Sequence, residues 1–175
     1  MTNRRLIINI QRRGGLNRDA LVEAFTRTIA GDMMSTRLTN TLRITVKLRA
    51  GTGKGSPLGF CQWRDYRKGG TARSKHHTIV VQRDLPINKL LSVIVHELQH
   101  VEQMVTGRLK LRARAGRMVY LWRAKGQRGK AELWETNSCY CSRPWEVEAR
   151  AAQEKYRGVS RDAHWQVVSE SLAAA

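Results

Sequence analysis

The sequence predicts an α+β fold, because strand-like and helix-like patterns follow one another along a single chain of 175 residues. Residues 41–48 alternate apolar with polar side chains, and residues 77–83 are rich in β-branched side chains, so both are predicted strands. A long apolar helical pattern then covers residues 86–106, and Gly107 supplies the left-handed residue that ends a helix. With 41% apolar residues, the chain can bury one core.

The other elements follow from the same signals. Residues 6–10 form a strand or arm, residues 17–34 a packing helix, and residues 59–63 a short strand. Residues 65–75 are a basic loop, and residues 108–130 are basic and irregular apart from a strand or short helix over 118–122. Pro144 starts a helix that reaches about Tyr156 and is broken by Gly158, and a last short helix covers residues 161–172.

The helix over residues 86–106 contains the pattern His96-Glu97-x-x-His100. Residues four apart share one face of a helix, so the two imidazoles can point at one metal ion. Zinc hydrolases use this arrangement: nitrogen ligands hold Zn²⁺, one coordination position stays open for water, and a carboxylate takes the proton of that water. We therefore expect His96 and His100 to bind Zn²⁺, and Glu97 to be the catalytic general base.

A catalytic zinc site needs a third protein ligand. Two glutamates at the start of the helix after Pro144 are the best candidates. Glu148 is favoured, because it shares a helix face with Trp145, Ala151 and Ala152, whose small alanines allow close approach. Glu146 stays open as the alternative, since a carboxylate in a first turn meets the helix dipole favourably without any metal. The other downstream candidates are Glu102, Glu132, Glu135, Glu154 and His164.

The charge of the chain is extreme, with a formal net charge of +18 and an isoelectric point of about 11.0. Between Glu102 and Glu132 there are nine Lys and Arg residues and no acid. Such a field attracts polyanions, so we expect nonspecific contact with nucleic acid. The alternative is a generally basic surface without a dedicated site, and few aromatic residues (6%) argue against a base-stacking platform.

The three cysteines, Cys61, Cys139 and Cys141, give no disulfide framework. Cys139 and Cys141 are read either as ordinary thiols or as a second metal site. No run approaches 18 apolar residues, and the N-terminus lacks the apolar run of a signal peptide. We expect no membrane partner and a cytoplasmic protein that is not secreted.

Two motifs together resemble a known family. Residues 95–103 (Val-His-Glu-Leu-Gln-His-Val-Glu-Gln) and residues 144–149 (Pro-Trp-Glu-Val-Glu-Ala) resemble the small zincin-like metallopeptidases encoded by tailed phages. The chain is more distantly similar to SprT-like and Spartan-like minimal zincins. The resemblance covers about residues 77–157. The chain has no downstream histidine ligand and no cysteine-rich zinc ribbon, so the resemblance does not extend to a role in repairing DNA–protein crosslinks.

The resemblance implies a minimal zincin-like fold, in which a small twisted mixed sheet packs on an active-site helix and on a second, ligand-bearing helix. It also implies that residues 78–82 form an edge strand that pairs with a peptide substrate, and that Glu148-Ala149 matches the Glu-Ala pair of gluzincins. Residues 1–40 would be an arm and packing helix, 41–157 the catalytic core, and 158–175 a C-terminal helix. A phage protein of this kind would act in the host cytoplasm or in the virion.

Two functions follow. The first is a zinc endopeptidase, whose oxyanion donor is one of Tyr140, Arg143, Tyr156 and His77. The second is a catalytically silent zincin-fold structural or virion protein that binds nucleic acid through its basic surface. The oligomeric state and the cleavage preference do not follow from the sequence.

Overall fold

A computed structural model of the chain describes residues 6–11, 16–51, 55–62 and 76–163. It has the predicted α+β class. The helices are α1 (Leu16–Met33), α2 (Thr36–Thr39), α3 (Ile87–Val105) and α4 (Pro144–Lys155), and residues 157–163 are also helical. The strands are β1 (Ile7–Gln11), β2 (Arg43–Arg49), β3 (Gly59–Gln62), β4 (His76–Gln82), β5 (Leu109–Arg114), β6 (Arg117–Trp122) and β7 (Glu132–Glu135).

The first sheet has the order β1-β2-β4-β3 and is mixed. β1, β2 and β4 are parallel, whereas β3 pairs antiparallel with β4. The prediction that residues 78–82 form an edge strand is wrong, because β4 lies between β2 and β3. The continuous apolar run Thr78–Val81 is buried, as expected for a strand with neighbours on both sides. The edge strand beside α3 is β3.

Helix α3 is the central element of the main core. Leu90, Leu91, Ile94 and Leu98 recur at helical spacing and are fully buried. The helix contacts β3 and β4 on one side and α1 on another, so the sheet and two helices enclose a single core. Gly107, with φ +74°, follows α3 in the predicted left-handed conformation.

The second sheet is an antiparallel meander, β5-β6-β7, in the segment that was expected to be irregular. It has its own small core of Leu109, Trp122 and Trp145. Because Trp145 belongs to α4, this core attaches the meander to the helix that follows it. None of the described helices has the length and apolar character needed to cross a membrane.

The helix that begins at Pro144 ends at Lys155, with Tyr156 in a turn. Gly158 does not break it, because Gly158 lies within helical residues 157–163. The predicted loop at 65–75, most of the predicted helix at 161–172 and His164 fall outside the described residues.

Candidate metal centre

Three side chains from two helices meet at one point. His96 and His100 lie one turn apart on α3, and Glu146 lies in the first turn of α4. Their facing atoms are 3.2 Å apart (Nε2 to Nε2), 3.1 Å (His96 Nε2 to Glu146 Oε2) and 3.4 Å (His100 Nε2 to Glu146 Oε2). Ligands at zinc distances of about 2.0–2.1 Å in tetrahedral geometry stand about 3.3 Å from one another. The spacing and the donor set therefore fit a zinc ion.

Among the described residues, His96, His100 and Glu146 are the group of three potential ligands whose donor atoms converge. Cys139 and Cys141 are free and exposed, and no such group includes them. The structure thus gives no support, within the described ranges, to the alternative of a second metal site at the cysteines.

Helix α4 runs antiparallel to α3, since Trp145 contacts Gln103 near one end and Gln153 contacts Ser92 near the other. The buried Ala149 allows the two helices to approach closely. Glu146 and Gln153 share the face of α4 that carries Ala149, because residues three and four apart lie side by side on a helix. This face is the one that meets the histidines.

Gln103 orients His100. Its amide nitrogen donates to the carbonyl oxygen of Trp145 (3.1 Å) and to the carboxylate of Glu148 (2.9 Å). Its oxygen therefore faces His100 Nδ1, at 2.9 Å, and Nδ1 must carry the hydrogen. The neutral ring then presents the lone pair of Nε2 to the metal centre.

Gln153 does the same for His96. Its amide nitrogen donates to the carbonyl oxygen of Ser92 (3.1 Å) and to the Ser92 hydroxyl (3.2 Å). Its oxygen lies 3.2 Å from His96 Nδ1, which again places the hydrogen there and leaves Nε2 free. Both histidines are thus held in the tautomer that a metal requires.

Glu148, the favoured third ligand, does not reach the histidines. Its carboxylate pairs with the Arg108 guanidinium (2.9 Å) and accepts the hydrogen bond from Gln103. The buried face of α4 is shifted by about one residue from the predicted face, because Ala151 is exposed whereas Ala149 and Ala152 are buried. The geometry replaces Glu148 with Glu146, the first-turn glutamate, and Glu148 instead supports the centre through Gln103.

A buried charged network extends from this point. Arg108 pairs with Glu148 and with Glu102, which also accepts a hydrogen bond from the Gln99 amide (3.2 Å). The guanidinium carbon of Arg108 also lies 5.1 Å from the centre of the Trp122 ring. Glu102, one of the candidate ligands named from the sequence, therefore belongs to this network and not to the metal centre.

Glu97 is buried between α3 and the edge strand β3. The backbone N–H of Cys61 in β3 donates to its carboxylate. The strand can approach so closely because Gly59 has no side chain: a Cβ there would lie 2.4 Å from Val93 Cγ1 and 3.5 Å from Glu97 Oε1. The backbone of β3 therefore holds Glu97 in place beside the two histidines.

The electrostatics match these positions. Burial raises the pKa of Glu97 above its ordinary value of 4.5, although the charges of His100 and His96 oppose the shift. Burial alone would also raise the pKa of Glu146, but the hydrogen bonds from His100 and His96 outweigh it and lower that pKa. Likewise, burial would lower the pKa of His100, whereas its bond to Glu146 raises it above 6.5. The pKa of Glu97 is thus raised, whereas the pKa of Glu146 is lowered.

The centre opens into a cavity of about 250 Å³. Glu97, His100 and Glu146 line it together with Tyr140, Arg143 and mostly apolar side chains, which include Leu109, Tyr120 and Trp145. A side chain of moderate size that enters the cavity would lie between the metal centre and the aromatic residues of the second sheet.

Two of the four expected oxyanion donors line this cavity. The Tyr140 hydroxyl bonds the Glu146 carboxylate, and burial together with this bond raises the pKa of Tyr140 well above 10, so the phenol keeps its proton. Arg143 contacts the cavity too, but its guanidinium bonds the carbonyl oxygens of Thr136 (2.7 Å) and Ser138 (3.0 Å).

The remaining candidate oxyanion donors and candidate metal ligands do not line this cavity. The Tyr156 hydroxyl bonds Asp32, His77 is buried within β4, and Glu154 pairs with Arg157. Glu132 and Glu135 are on the exposed strand β7.

Sequence reasoning missed the glutamines that orient the histidines and the strand that holds Glu97. The positions of the glutamines carry a signal, because Gln103 follows His100 by three residues and Gln153 follows Glu146 by seven, both helical intervals. Nothing comparable in the sequence identifies β3 as the neighbour of Glu97. Comparison with known protein families, with curated proteins and with solved structures finds no significant match for this chain.

Proposed function

We propose that the protein is a zinc-dependent peptidase with a minimal zincin fold. One observation carries the proposal: His96, His100 and Glu146 offer three converging donor atoms 3.1–3.4 Å apart, next to a buried Glu97. A site that served stability alone would gain nothing from a second buried carboxylate beside the ligands, since burying a charge is costly. The resemblance of the two motifs to phage-encoded zincins supports the same function.

A zinc ion held by the three ligands would supply a Lewis acid that polarises the scissile carbonyl and acidifies water. Glu97 then accepts a proton from the attacking water and delivers it to the leaving amine. Its raised pKa suits this role, because it brings the carboxylate closer to the pH at which it must both take up and release a proton. The Cys61 N–H holds the carboxylate in one orientation throughout.

The substrate would bind as an extended peptide along β3. Within the described residues no strand pairs with the outer edge of β3, so its backbone groups other than the Cys61 N–H, which bonds Glu97, can pair with a peptide. Phe60, 41% exposed, is on this strand. Tyr140, whose phenol stays protonated, is the best-placed donor for the developing oxyanion. A side chain of the peptide would enter the cavity beside Trp145.

The first prediction concerns Glu97. Glu97→Gln preserves shape but removes the base, so cleavage of fluorescently labelled casein should fall by about 10²–10⁴-fold, the usual contribution of a general base. The zinc content, measured by elemental mass spectrometry, should stay near that of the unaltered protein. Cleavage at an unchanged rate by the zinc-loaded variant would refute the mechanism.

The second prediction separates the two glutamates of α4. Glu146→Gln removes a ligand and should abolish zinc retention after dialysis, whereas Glu148→Gln should retain it with weakened affinity. The two substitutions are chemically identical and lie on one helix, so each is the control for the other. Loss of zinc from Glu148→Gln alone would show that the geometry assigns the ligand to the wrong residue.

The net charge favours a second candidate, a catalytically silent zincin-fold component that binds nucleic acid. It shares the metal ligands with the peptidase but requires no base. Zinc binding that depends on Glu146, together with an absence of peptide cleavage by the unaltered protein, would favour this candidate.

A further inference from the structure

The β5–β6 hairpin projects beyond the sheet to which it belongs. Its two strands are joined by Ala115 and Gly116, which both have positive φ (47° and 76°), as in the two-residue turns that match strand twist. Strand β7 pairs only with the stretch of β6 from Val119 to Trp122. The end of the hairpin, residues 113–118, is therefore two-stranded, and we call the hairpin section formed by residues 110–119 the basic ribbon.

The cations of the basic ribbon lie on one face of the sheet. Directly paired residues share a face, so the pairs Lys110–Leu121, Arg112–Val119 and Arg114–Arg117 place four cations on one face. Arg112, Arg114 and Arg117 are exposed. The opposite face includes Leu109 and Trp122, which pack against Trp145.

Among the residues that the structure describes, no acidic side chain forms an ion pair with the ribbon cations. Within the described residues, the ion pairs of the arginines involve Arg27, Arg83, Arg108, Arg157 and Arg161, not those of the ribbon. Arg114 and Arg117 are even directly opposite each other, an arrangement of like charges that destabilises a hairpin. A bound polyanion would relieve this repulsion.

We propose that the basic ribbon binds the phosphate backbone of double-stranded nucleic acid. A two-stranded ribbon fits the major groove of DNA, and same-face side chains about 7 Å apart along a strand reach different phosphates. The described ribbon carries no exposed aromatic side chain for base stacking, so binding depends on charge and not on sequence. It also carries none of the large exposed apolar side chains that anchor a protein in a lipid surface.

The proposal does not rest on peptidase activity, because binding of this kind needs neither metal nor peptide. The ribbon nevertheless belongs to the sheet whose residues Leu109 and Tyr120 line the cavity at the metal centre. Those two residues are on the opposite face of the sheet from the ribbon cations, so bound nucleic acid and the cavity would lie on opposite faces of one sheet.

The test compares two triple variants of equal charge. Arg112→Gln/Arg114→Gln/Arg117→Gln removes the ribbon cations, and Arg37→Gln/Arg43→Gln/Lys89→Gln removes three exposed cations from other elements. Affinity for a fluorescein-labelled DNA duplex of about 25 base pairs is measured by anisotropy between about 0.05 and 0.2 M KCl. Each phosphate contact contributes about 0.9 to the slope of log affinity against log salt, so the ribbon variant should lower the slope by about 3.

The ribbon variant should also bind at least about tenfold more weakly at 0.1 M KCl, with a much smaller change in the control variant. The single variant Arg114→Gln, which perturbs the fold less, should lower the slope by about 1. Equal losses in the two triple variants would overturn the proposal in favour of net charge alone. Unchanged duplex binding by the ribbon variant, with loss of binding to phosphatidylglycerol vesicles, would overturn it in favour of a lipid surface. Neither outcome would bear on zinc binding or peptide cleavage.

Discussion

At the scale of single residues, hydrogen bonds within the fold orient both histidines of the candidate metal centre. Gln103 and Gln153 each use both ends of one amide, donating to fixed acceptors and accepting from a histidine. An amide in this place fixes the tautomer without adding a charge, unlike the carboxylate that often holds a metal-binding histidine. The charge at the centre is therefore left to Glu146.

The third prediction tests this orientation. Gln103→Leu keeps the bulk of the side chain but removes the acceptor for His100 Nδ1, so the ring can change tautomer and zinc affinity should fall by about 10–100-fold. Gln99→Leu is the control, because Gln99 is on the same helix and bonds Glu102 rather than a histidine. Affinities are measured by competition with a chromophoric chelator. Equal effects of the two variants would mean that Gln103 only supports the helix.

The sequence predicted the two histidines and Glu97 as neighbours because a helical interval fixes their relation whatever the rest of the fold does. It could not decide between Glu146 and Glu148, because that choice depends on the rotation of α4 about its own axis, which is set by packing against α3. A first-turn carboxylate can meet the helix dipole and bind a metal at the same time, so the position of Glu146 in the first turn does not count against it as a ligand.

At the scale of elements, the edge strand determines how the general base is held. β3 crosses α3 at Gly59, where any side chain would collide with Val93. The closeness of this crossing allows a backbone N–H of β3 to reach Glu97. A small displacement of β3 would therefore shift the Glu97 carboxylate.

The fourth prediction is that Gly59→Ala destabilises the protein by about 1–3 kcal/mol, the usual cost of overpacking, and lowers cleavage because Glu97 loses its position. For a domain of this size each kcal/mol lowers the melting temperature by about 2–4 °C. Gly31→Ala in α1 is the control, since a Cβ there meets nothing within 4 Å.

Val93→Ala should restore part of the stability and cleavage rate that Gly59→Ala loses, because it removes the methyl group that the new Cβ meets. The comparison is a double-mutant cycle on melting temperature and cleavage rate. If the losses of melting temperature and cleavage rate in the double variant equal the sum of the losses in the single variants, the contact between Gly59 and Val93 does not position Glu97.

Two elements show how sequence patterns were misread. Residues 78–81 are uninterrupted β-branched and apolar residues, a pattern typical of a strand buried on both faces, yet they were assigned to an edge. Residues 109–114 alternate apolar and other residues with the period of a strand, but their charge led to the expectation of irregular structure. In both segments the local hydrophobic pattern alone indicates the structure that is observed.

At the scale of the whole molecule, the centre links two cores. α3 belongs to the main core, and α4 carries Trp145 of the smaller one. Because the proposed ligands come from both helices, metal binding would contribute to the folding free energy. The proton balance at the centre then makes that contribution depend on pH.

The fifth prediction follows from the signs of the two pKa shifts. In the metal-free protein His100 has a raised pKa, so its contribution to stability is complete below pH 6.5 and is lost as the pH rises through the folded value. Glu146 has a lowered pKa, so its contribution is present above pH 4.5 and is lost on acidification through its own folded value. A metal requires neutral His100, so zinc must compete with a proton at low pH.

With a chelator present, loss of the His100 contribution should therefore lower the melting temperature as the pH rises above 6.5. The rise in melting temperature caused by zinc should widen over the same range. Glu146→Gln is the control, in which zinc should cause little change at any pH. A zinc effect that is constant or shrinks with rising pH would contradict the assignment of His100 as a ligand.

The antiparallel pairing of α3 and α4 has one more consequence. The chain between His100 and Glu146 leaves the first helix, forms the entire second sheet and returns to the second helix. An ion bound as proposed would tie this segment into a closed ring, as a disulfide would, and so would restrict the unfolded chain. The supply of metal in the surroundings would then control how long the β5–β7 segment resists unfolding and degradation.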